Sequence, residues 1–382
     1  MANTRRSTKK GVAKIADDAM FAGSMPVSAG LTPFQILAPD GIPVREDLIP
    51  DLDVVEEMYR QMSRLRHLDD KFMQLYKSQK LGNYAQFGGQ EASQIGSAMA
   101  LDRKLDFIAP MYRNTAAMIT HGWSIKNAIM YWRGHPEGWR LPDSANLLPI
   151  IISIPGQIVH AAGAAMALQM QKTGGIAMTY IGEGGTSQGD FHIGVNFAAA
   201  RKAPAVFVIE NNGWAISVPR KVQSSVDYLM RRAEGYGIPG YLVDGNDILA
   251  VHTVAKKAVQ DARDGKGPSL IEQMTYRIRP HTTGDDPKAY RDENGDPKFW
   301  AENRDPIQRV RQFLTNEKRW NEDREVAMMV EISTEFQEAL DAADAHAAPD
   351  PQALLEYVFV NPPSQLKEQQ AILVERIKEA SA

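Results

Sequence analysis

The spacing of hydrophobic residues changes several times along the chain, and each change predicts a different element. From Asp53 onwards, apolar residues recur at intervals of three and four, which predicts a helix with one buried face. These residues are Val54, Met58, Met62, Leu65 and Leu68. Further helices are predicted over 90–100, 156–172, 187–202 and 248–264, and within 305–347.

Short, wholly apolar runs separate several of these helices. They predict strands over 176–181, 205–210, 241–243 and 269–276. Apolar strands that alternate with helices are typical of a parallel sheet buried on both faces, so we predict an α/β fold with helices on both sides of the sheet. This α/β domain is predicted to span residues 51–350, between an extended arm over 1–50 and a helical tail over 351–382.

Composition and charge exclude several classes of function. The chain has 382 residues, 43 basic and 47 acidic, and its net charge of −4 gives no reason to expect a nucleic acid or a membrane as partner. It has no cysteine, which excludes disulfides and cysteine nucleophiles. Prolines and polar residues interrupt the most apolar stretch, 147–170, so no transmembrane helix is predicted. Five of the first 16 residues are basic, and we interpret them as a tail rather than a transit peptide.

The most informative stretch for chemistry contains two predicted strand ends. One strand ends in Gly-Glu-Gly-Gly at 182–185, and after a helix the next strand ends in Asn-Asn at 211–212. In a right-handed strand–helix–strand unit both ends emerge at one edge of the sheet, so Glu183 and Asn212 are predicted to lie close together. Carboxylate, amide and carbonyl oxygens are ligands that magnesium accepts, with phosphate and water in its other positions. The glycines are predicted to let a diphosphate approach the backbone.

Two common phosphate-binding signatures do not fit this stretch. A dinucleotide fingerprint that starts at Gly182 has Ser187 where its last glycine belongs. A P-loop that starts at Gly184 has Asp190 and Phe191 in place of the lysine and hydroxyl residue.

The arrangement instead resembles the thiamine diphosphate motif, in which Gly-Asp-Gly or Gly-Glu-Gly is followed by Asn-Asn. The chain is most similar to the alpha subunit of the 2-oxo acid dehydrogenase component, and its Gly-Glu-Gly and Asn-Asn-Gly-Trp-Ala-Ile-Ser segments favour the branched-chain type. The resemblance implies that Mg²⁺ is bound by Glu183, the side chain of Asn212 and the carbonyl group of Trp214. It also implies that the cofactor contacts Gly182, Gly184 and Gly185.

Three further segments match the same family. Tyr112 and Arg113 resemble the pair whose arginine contacts the diphosphate, for which a planar guanidinium is well suited. Ile154 corresponds to the bulky residue that holds the cofactor in its bent conformation. The segment 275–291 resembles the mobile active-site loop, on which His281 is the candidate catalytic residue and a further cofactor ligand. Thr282 holds the position that is phosphorylated in animal relatives.

The chain departs from the family pattern at two places. Relatives often carry Met-Pro-x-His-Tyr before the segment that contains Ile154, whereas residues 140–144 are Arg-Leu-Pro-Asp-Ser, which leaves the substrate pocket and its chain-length preference open. Some relatives carry a phosphate-binding arginine immediately before Asn-Asn. This chain has Glu210 there, and we assign it no cofactor role.

The resemblance implies an oxidoreductase of branched-chain amino acid catabolism. Its α subunit acts in the thiamine diphosphate-dependent oxidative decarboxylation of branched-chain 2-oxo acids, with acylation of the lipoyl group of an acyltransferase component. A β subunit supplies the rest of the site, which implies an α2β2 heterotetramer and an inactive isolated chain. The alternatives are a pyruvate or acetoin dehydrogenase α subunit, or a non-catalytic paralogue that binds a partner. The expected location is the cytoplasm of a bacterium, or the mitochondrial matrix of a eukaryote.

Overall fold

The computed structural model describes residues 31–348 and 358–381. Its helices are α1 (Leu52–Lys77), α2 (Glu91–Ala98), α3 (Thr115–Thr120), α4 (Ile125–Trp132), α5 (Gly156–Gln171), α6 (Gly189–Ala200), α7 (Arg220–Gln223), α8 (Arg232–Tyr236), α9 (Ile248–Arg263), α10 (Asp296–Asn303), α11 (Pro306–Asn316), α12 (Glu322–Asp344) and α13 (Ser364–Ser381). Its strands are β1 (Phe107–Ala109), β2 (Asn146–Leu147), β3 (Ala177–Gly182), β4 (Ala205–Asn211), β5 (Trp214–Ala215), β6 (Val218–Pro219), β7 (Gly240–Asp244) and β8 (Ser269–Met274). In these ranges no helix is both long and apolar enough to cross a membrane.

Six of the strands form one parallel sheet in the order β2-β1-β3-β4-β8-β7. The other two, β5 and β6, form a small antiparallel pair just beyond the end of β4. The predicted α/β fold with a parallel sheet is confirmed, and β4 lies between two long neighbours, β3 and β8.

Side chains alternate along the strands between two hydrophobic cores. On β4, Val206 and Val208 pack into the core that includes α1, α2 and α9, whereas Phe207 and Ile209 pack into the core built with α5 and α6. This alternation is the normal consequence of the two-residue repeat of a strand. Both faces of the sheet are therefore covered, and polar chemistry is confined to the ends of the strands.

Several details differ from the sequence-based predictions. On α1 the predicted Met58, Met62, Leu65 and Leu68 are buried, but the first residue of the buried face is Val55, three positions before Met58, whereas the predicted Val54 is 38% exposed. The helical region predicted within 305–347 is two helices, and the second begins where the side chain of Asn321 accepts a hydrogen bond from the backbone N–H of Arg324. Strands β1 and β2 were missed because they contain only three and two residues.

The two terminal predictions are only partly covered by the described residues. Residues 1–30 of the predicted arm and residues 349–357 and 382 of the chain lie outside the described ranges. Within the remainder of the arm, Phe34 extends the edge of the sheet, where its backbone N–H donates to Leu242 O at 3.0 Å. The predicted domain boundaries stay predictions.

A buried charge cluster fastens this arm to the carboxyl end of β7. Asp247 caps α9 with one carboxylate oxygen, and its other oxygen accepts the backbone N–H groups of Ile36 and Leu37 at 2.7 Å. The side chain of Arg309 on α11 is 0% exposed, and its Nη2 atom lies 2.9 Å from Asp244 Oδ2. Burial raises the pKa of Asp247 to about 6, and the Arg309 guanidinium opposes that rise.

Replacing this arginine is expected to destabilise the fold strongly. Arg309→Met leaves two buried aspartates without their cation, and breaking a buried ion pair from one side costs about 3–5 kcal/mol. Arg311→Met, on the same helix, removes an exposed pair with Glu322 and is expected to cost less than about 1 kcal/mol. Urea-induced unfolding of the full chain measures both losses. Equal, small losses in the two variants would contradict this description of the cluster.

Candidate active site

The ends of β3 and β4 meet as the sequence predicts. Gly182 and Glu210 are register partners, so the residues that follow them leave the sheet side by side. Glu183 begins a 3-10 turn over Glu183–Ser187, and its Oε2 atom accepts the backbone N–H of Asn212 at 3.2 Å. The two candidate metal ligands, which are 29 residues apart in sequence, therefore contact each other directly.

The remaining oxygen of Glu183 is free for a ligand. Among the described residues Oε1 is buried and has no hydrogen-bond partner. Burial raises the pKa of Glu183, because the charged carboxylate is removed from water, although the N–H of Asn212 stabilises the charged form. A cation at Oε1 would remove this cost. An orphaned buried carboxylate oxygen thus fits a site for a metal ion.

The other metal-site candidates are arranged around this carboxylate. Asn212 directs its Nδ2 group to Gln90 Oε1 at 3.2 Å, while its Oδ1 accepts the backbone N–H of Trp214 at 3.3 Å. Over the described ranges, no group of three or more His, Asp or Glu side chains could hold a metal. One carboxylate, one amide and one carbonyl oxygen give an incomplete shell, which suits magnesium when a bound phosphate and water complete it.

A side chain would meet different surroundings at each of the three glycines. A Cβ on Gly182 would meet no atom within 4 Å, so this position is open to a ligand. A Cβ on Gly184 would collide with Ala215, and one on Gly185 would lie 2.7 Å from Ile154 Cγ2. The predicted reason, close approach of a diphosphate, therefore accounts for Gly182 at most, and internal packing already requires the other two.

These residues surround one cavity of about 550 Å³ at the edge of the sheet. All ten residues predicted from the sequence line it: Tyr112, Arg113, Ile154, Gly182, Glu183, Gly184, Gly185, Asn212, Trp214 and His281. The structure brings them together, and their individual roles stay predictions. No residue of 140–144 lines the cavity, so the expectation that this segment shapes the pocket finds no support in the described chain.

Two buried guanidinium groups make this side of the site electropositive: Arg113 lines the cavity, and Arg277 lies behind the lining residues His281 and Ile216. Arg113 donates to the backbone oxygens of Gln86 and His281, and Arg277 donates to Ile216 O and to the hydroxyl of Tyr290. Neither forms an ion pair with a carboxylate in the described part of the chain. Burial and the neighbouring Arg113 lower the pKa of Arg277 to about 10. Two neighbouring guanidinium groups without a carboxylate partner among the described residues are suited to an anionic ligand such as a diphosphate.

His281 lies between these two arginines. Its Nδ1 atom is 3.0 Å from Arg113 Nη2 and 3.3 Å from Arg277 Nη1. A guanidinium only donates, so Nδ1 accepts and the ring proton is on Nε2. Burial and both guanidinium charges lower the pKa of His281 to about 3, so the ring is neutral at physiological pH. An anion bound between the arginines would raise that pKa.

The loop that carries His281 is held by two sets of contacts. Asp285 Oδ2 accepts both the backbone N–H of His281 at 2.8 Å and the hydroxyl of Tyr290 at 2.6 Å. Thr283 exchanges hydrogen bonds with the backbone of Tyr84, at 2.9 and 2.8 Å. The adjacent Thr282 has no such anchoring role, and its phosphorylation stays a prediction.

Sequence reasoning missed Arg277, Gln90 and Ile216. Arg277 was within the quoted loop, but nothing in one sequence distinguishes a buried arginine from a surface one. Gln90 is wholly buried at the start of a helix that was noted only for its small residues. Ile216 has a φ of 57°, which is rare for a β-branched residue, and its carbonyl accepts Arg277 Nη2 at 2.6 Å. No local sequence pattern signals such a conformation.

Comparison with known proteins identifies the family of this chain. The family model described as "Dehydrogenase E1 component" matches residues 59–352. The pyruvate dehydrogenase E1 component subunit alpha of Staphylococcus aureus (strain Mu50) is 43% identical over 345 residues, which are 90% of this chain and 92% of that protein. The protein of the same name from Staphylococcus epidermidis (strain RP62A) is 41% identical over the same shares of the two chains. This chain belongs to the family of dehydrogenase E1 components.

Proposed function

We propose that this chain is the α subunit of a thiamine diphosphate- and magnesium-dependent 2-oxo acid dehydrogenase whose substrate is pyruvate. The observation that carries the proposal is the cavity lined both by Glu183, whose Oε1 atom is unpartnered among the described residues, and by the guanidinium group of Arg113, with Arg277 behind His281. Membership of a thiamine diphosphate-dependent family supports the cofactor. The combination of a buried carboxylate with nearby cations fits a metal–diphosphate pair and few other ligands.

Different residues of this chain would bind the metal ion and the diphosphate. Glu183, Asn212 and the carbonyl of Trp214 would hold Mg²⁺, and Arg113 and Arg277 would bind the diphosphate oxygens. Ile154, which packs against Gly185, would support the bent cofactor from below. Bound thiamine diphosphate supplies the electron sink that decarboxylation requires. The protein contributes position and fixed charge, which cost no reorganisation during the reaction.

His281 would serve near the diphosphate as a hydrogen-bond donor through its Nε2–H group. In the site as described it is neutral and accepts at Nδ1 from both arginines. An anion that compensates those arginines would reduce the part of the pKa shift of His281 that comes from their charges, while burial keeps the pKa lowered.

The rest of the site is proposed to come from a β subunit in an α2β2 heterotetramer. The relatives are named as alpha subunits, and the cavity is open to solvent beside the exposed side chains of Ile152 and Ile216. A lipoyl-bearing acyltransferase would accept the acyl group. The relatives are bacterial, which favours the bacterial alternative and a cytoplasmic location.

We propose pyruvate as the substrate in place of the branched-chain acid that the sequence analysis expects. The relatives described above are named for pyruvate, and at 43% identity over nine-tenths of the chain they support that alternative better than the branched-chain interpretation. Acetoin dehydrogenase and a non-catalytic paralogue lack a specific observation in their favour. The second is opposed by a cavity that all ten candidate residues line.

Glu183→Gln separates metal binding from fold stability. Burial already disfavours the charged carboxylate, so the neutral amide is expected to leave the thermal midpoint of the ligand-free protein unchanged or slightly higher. The same change removes the charge that Mg²⁺ needs, and the affinity for thiamine diphosphate with magnesium is expected to fall at least about 100-fold. Differential scanning calorimetry and isothermal titration calorimetry of the α–β assembly measure the two effects. Full cofactor affinity in this variant would refute the assignment.

Substrate preference is tested with the chain assembled with its native β subunit. Thiamine diphosphate-dependent dye reduction is expected to have a higher kcat/KM with pyruvate than with 3-methyl-2-oxobutanoate, by about tenfold or more, since pocket discrimination of a few methyl groups has this order. A preference for the branched acid would restore the branched-chain interpretation. Cofactor binding without turnover of either acid would favour the non-catalytic paralogue.

A further inference from the structure

The turn that carries Tyr112 and Arg113 is fixed at its base by one side chain. The backbone N–H of Asn114 donates to Met111 O at 3.1 Å and closes the turn. The side-chain oxygen of Asn114 accepts the backbone N–H of Met111 at 3.0 Å. Asn114 therefore holds both ends of the turn, and the direction of the Arg113 side chain depends on where Asn114 is held.

Asn114 is tied in turn to the central strand of the sheet. Its Nδ2 group donates to Glu210 Oε2 at 2.7 Å, and both side chains are 0% exposed. Glu210 is the penultimate residue of β4, whose backbone is paired on both sides, with β3 and with β8. The carboxylate therefore belongs to a strand that is paired on both sides, and a single hydrogen bond connects it to the turn.

A second contact fixes the opposite side of the turn. Gln94 Nε2 donates to the backbone oxygen of Arg113 at 3.0 Å. With its backbone held, Arg113 extends its Nη2 group to His281, 3.0 Å from Nδ1 and 2.9 Å from the backbone oxygen. Glu210 itself does not line the cavity, and its hydrogen-bonded connection to the lining residues runs through Asn114 to the turn that carries Arg113.

We propose that Glu210 is a positioning residue, which acts through Asn114 to hold the 111–114 turn so that Arg113 meets the diphosphate. This inference rests on the proposed function, because it takes Arg113 as a diphosphate ligand. It gives a role to a buried carboxylate that the sequence analysis left without one. It also gives a place to a glutamate next to Asn211 and Asn212, because its Oε2 atom accepts Asn114 at the base of the turn and the side chain does not line the cavity.

The test compares variants of the full chain assembled with its β subunit, with thiamine diphosphate and magnesium as the probe in isothermal titration calorimetry. Glu210→Leu removes the acceptor of Asn114, and the dissociation constant of the cofactor is expected to rise about tenfold, which is typical of coupled neighbouring residues. Glu210→Gln retains an acceptor oxygen and is expected to stay within about twofold of the parent protein. Asn114→Ala breaks the same link and provides a second variant if Glu210→Leu does not fold.

The matched control is Glu272→Leu on the adjacent strand. Glu272 is equally buried, and its Oε1 atom accepts a hydrogen bond from Asn211 Nδ2 at 2.7 Å. Its Oε2 atom accepts the backbone N–H of Met230, away from the 111–114 turn. Both leucine variants are expected to lower the thermal midpoint of the ligand-free assembly by similar amounts. Only Glu210→Leu is expected to weaken the binding of the cofactor.

A double-mutant cycle with Arg113→Ala decides whether the effect passes through that arginine. In the Arg113→Ala background, Glu210→Leu is expected to weaken cofactor binding no further, because the group it positions is gone. A tenfold loss that persists in that background, or no loss in the parent background, would overturn the inference. Failure of the parent assembly to bind the cofactor would instead refute the proposed function.

Discussion

The parallel pairing of β3 with β4 is the constraint on which the whole site depends. Because Gly182 and Glu210 are register partners, β3 and β4 end within one residue of each other, and Glu183 Oε2 meets the backbone N–H of Asn212 at 3.2 Å. A shift of one residue in that register would turn every side chain of one strand to the opposite face. The two hydrophobic cores fix the register, since each residue of β4 belongs to a defined side. Core packing therefore determines the geometry of the polar edge.

At that edge the ligand-free protein holds buried charged groups without counter-charges, and a bound ligand can supply those counter-charges. Glu183 is buried with one oxygen unpartnered among the described residues, and burial raises its pKa. On the same cavity, burial and the guanidinium charges of Arg113 and Arg277 lower the pKa of His281 to about 3. A cation beside the carboxylate and an anion beside the arginines remove both costs at once. This complementarity explains why metal and diphosphate are expected to bind as a pair and neither tightly alone.

Much of this arrangement could be predicted from the sequence, for identifiable physical reasons. Long apolar strands such as β3 and β4 and the helices between them have periods that one sequence displays, and the right-handed crossover then places Glu183 beside Asn212. The two- and three-residue strands have no measurable period. Arg277, Gln90 and Glu210 are polar residues buried by contacts up to 122 positions away, which no local pattern encodes. The substrate type was predicted from a few motif residues, and relatives matched over nine-tenths of the chain, which are named for pyruvate, favour the alternative that we propose.

The most direct test of this account is to locate the metal. Manganese prefers the same oxygen-rich octahedral sites as magnesium and can be recognised by its anomalous scattering. Crystals of the chain with its β subunit, thiamine diphosphate and Mn²⁺ are expected to give one anomalous peak per α subunit, within coordination distance of Glu183 Oε1 and Asn212 Oδ1. Bound cofactor with the peak at any other position, or with no peak, would contradict the account.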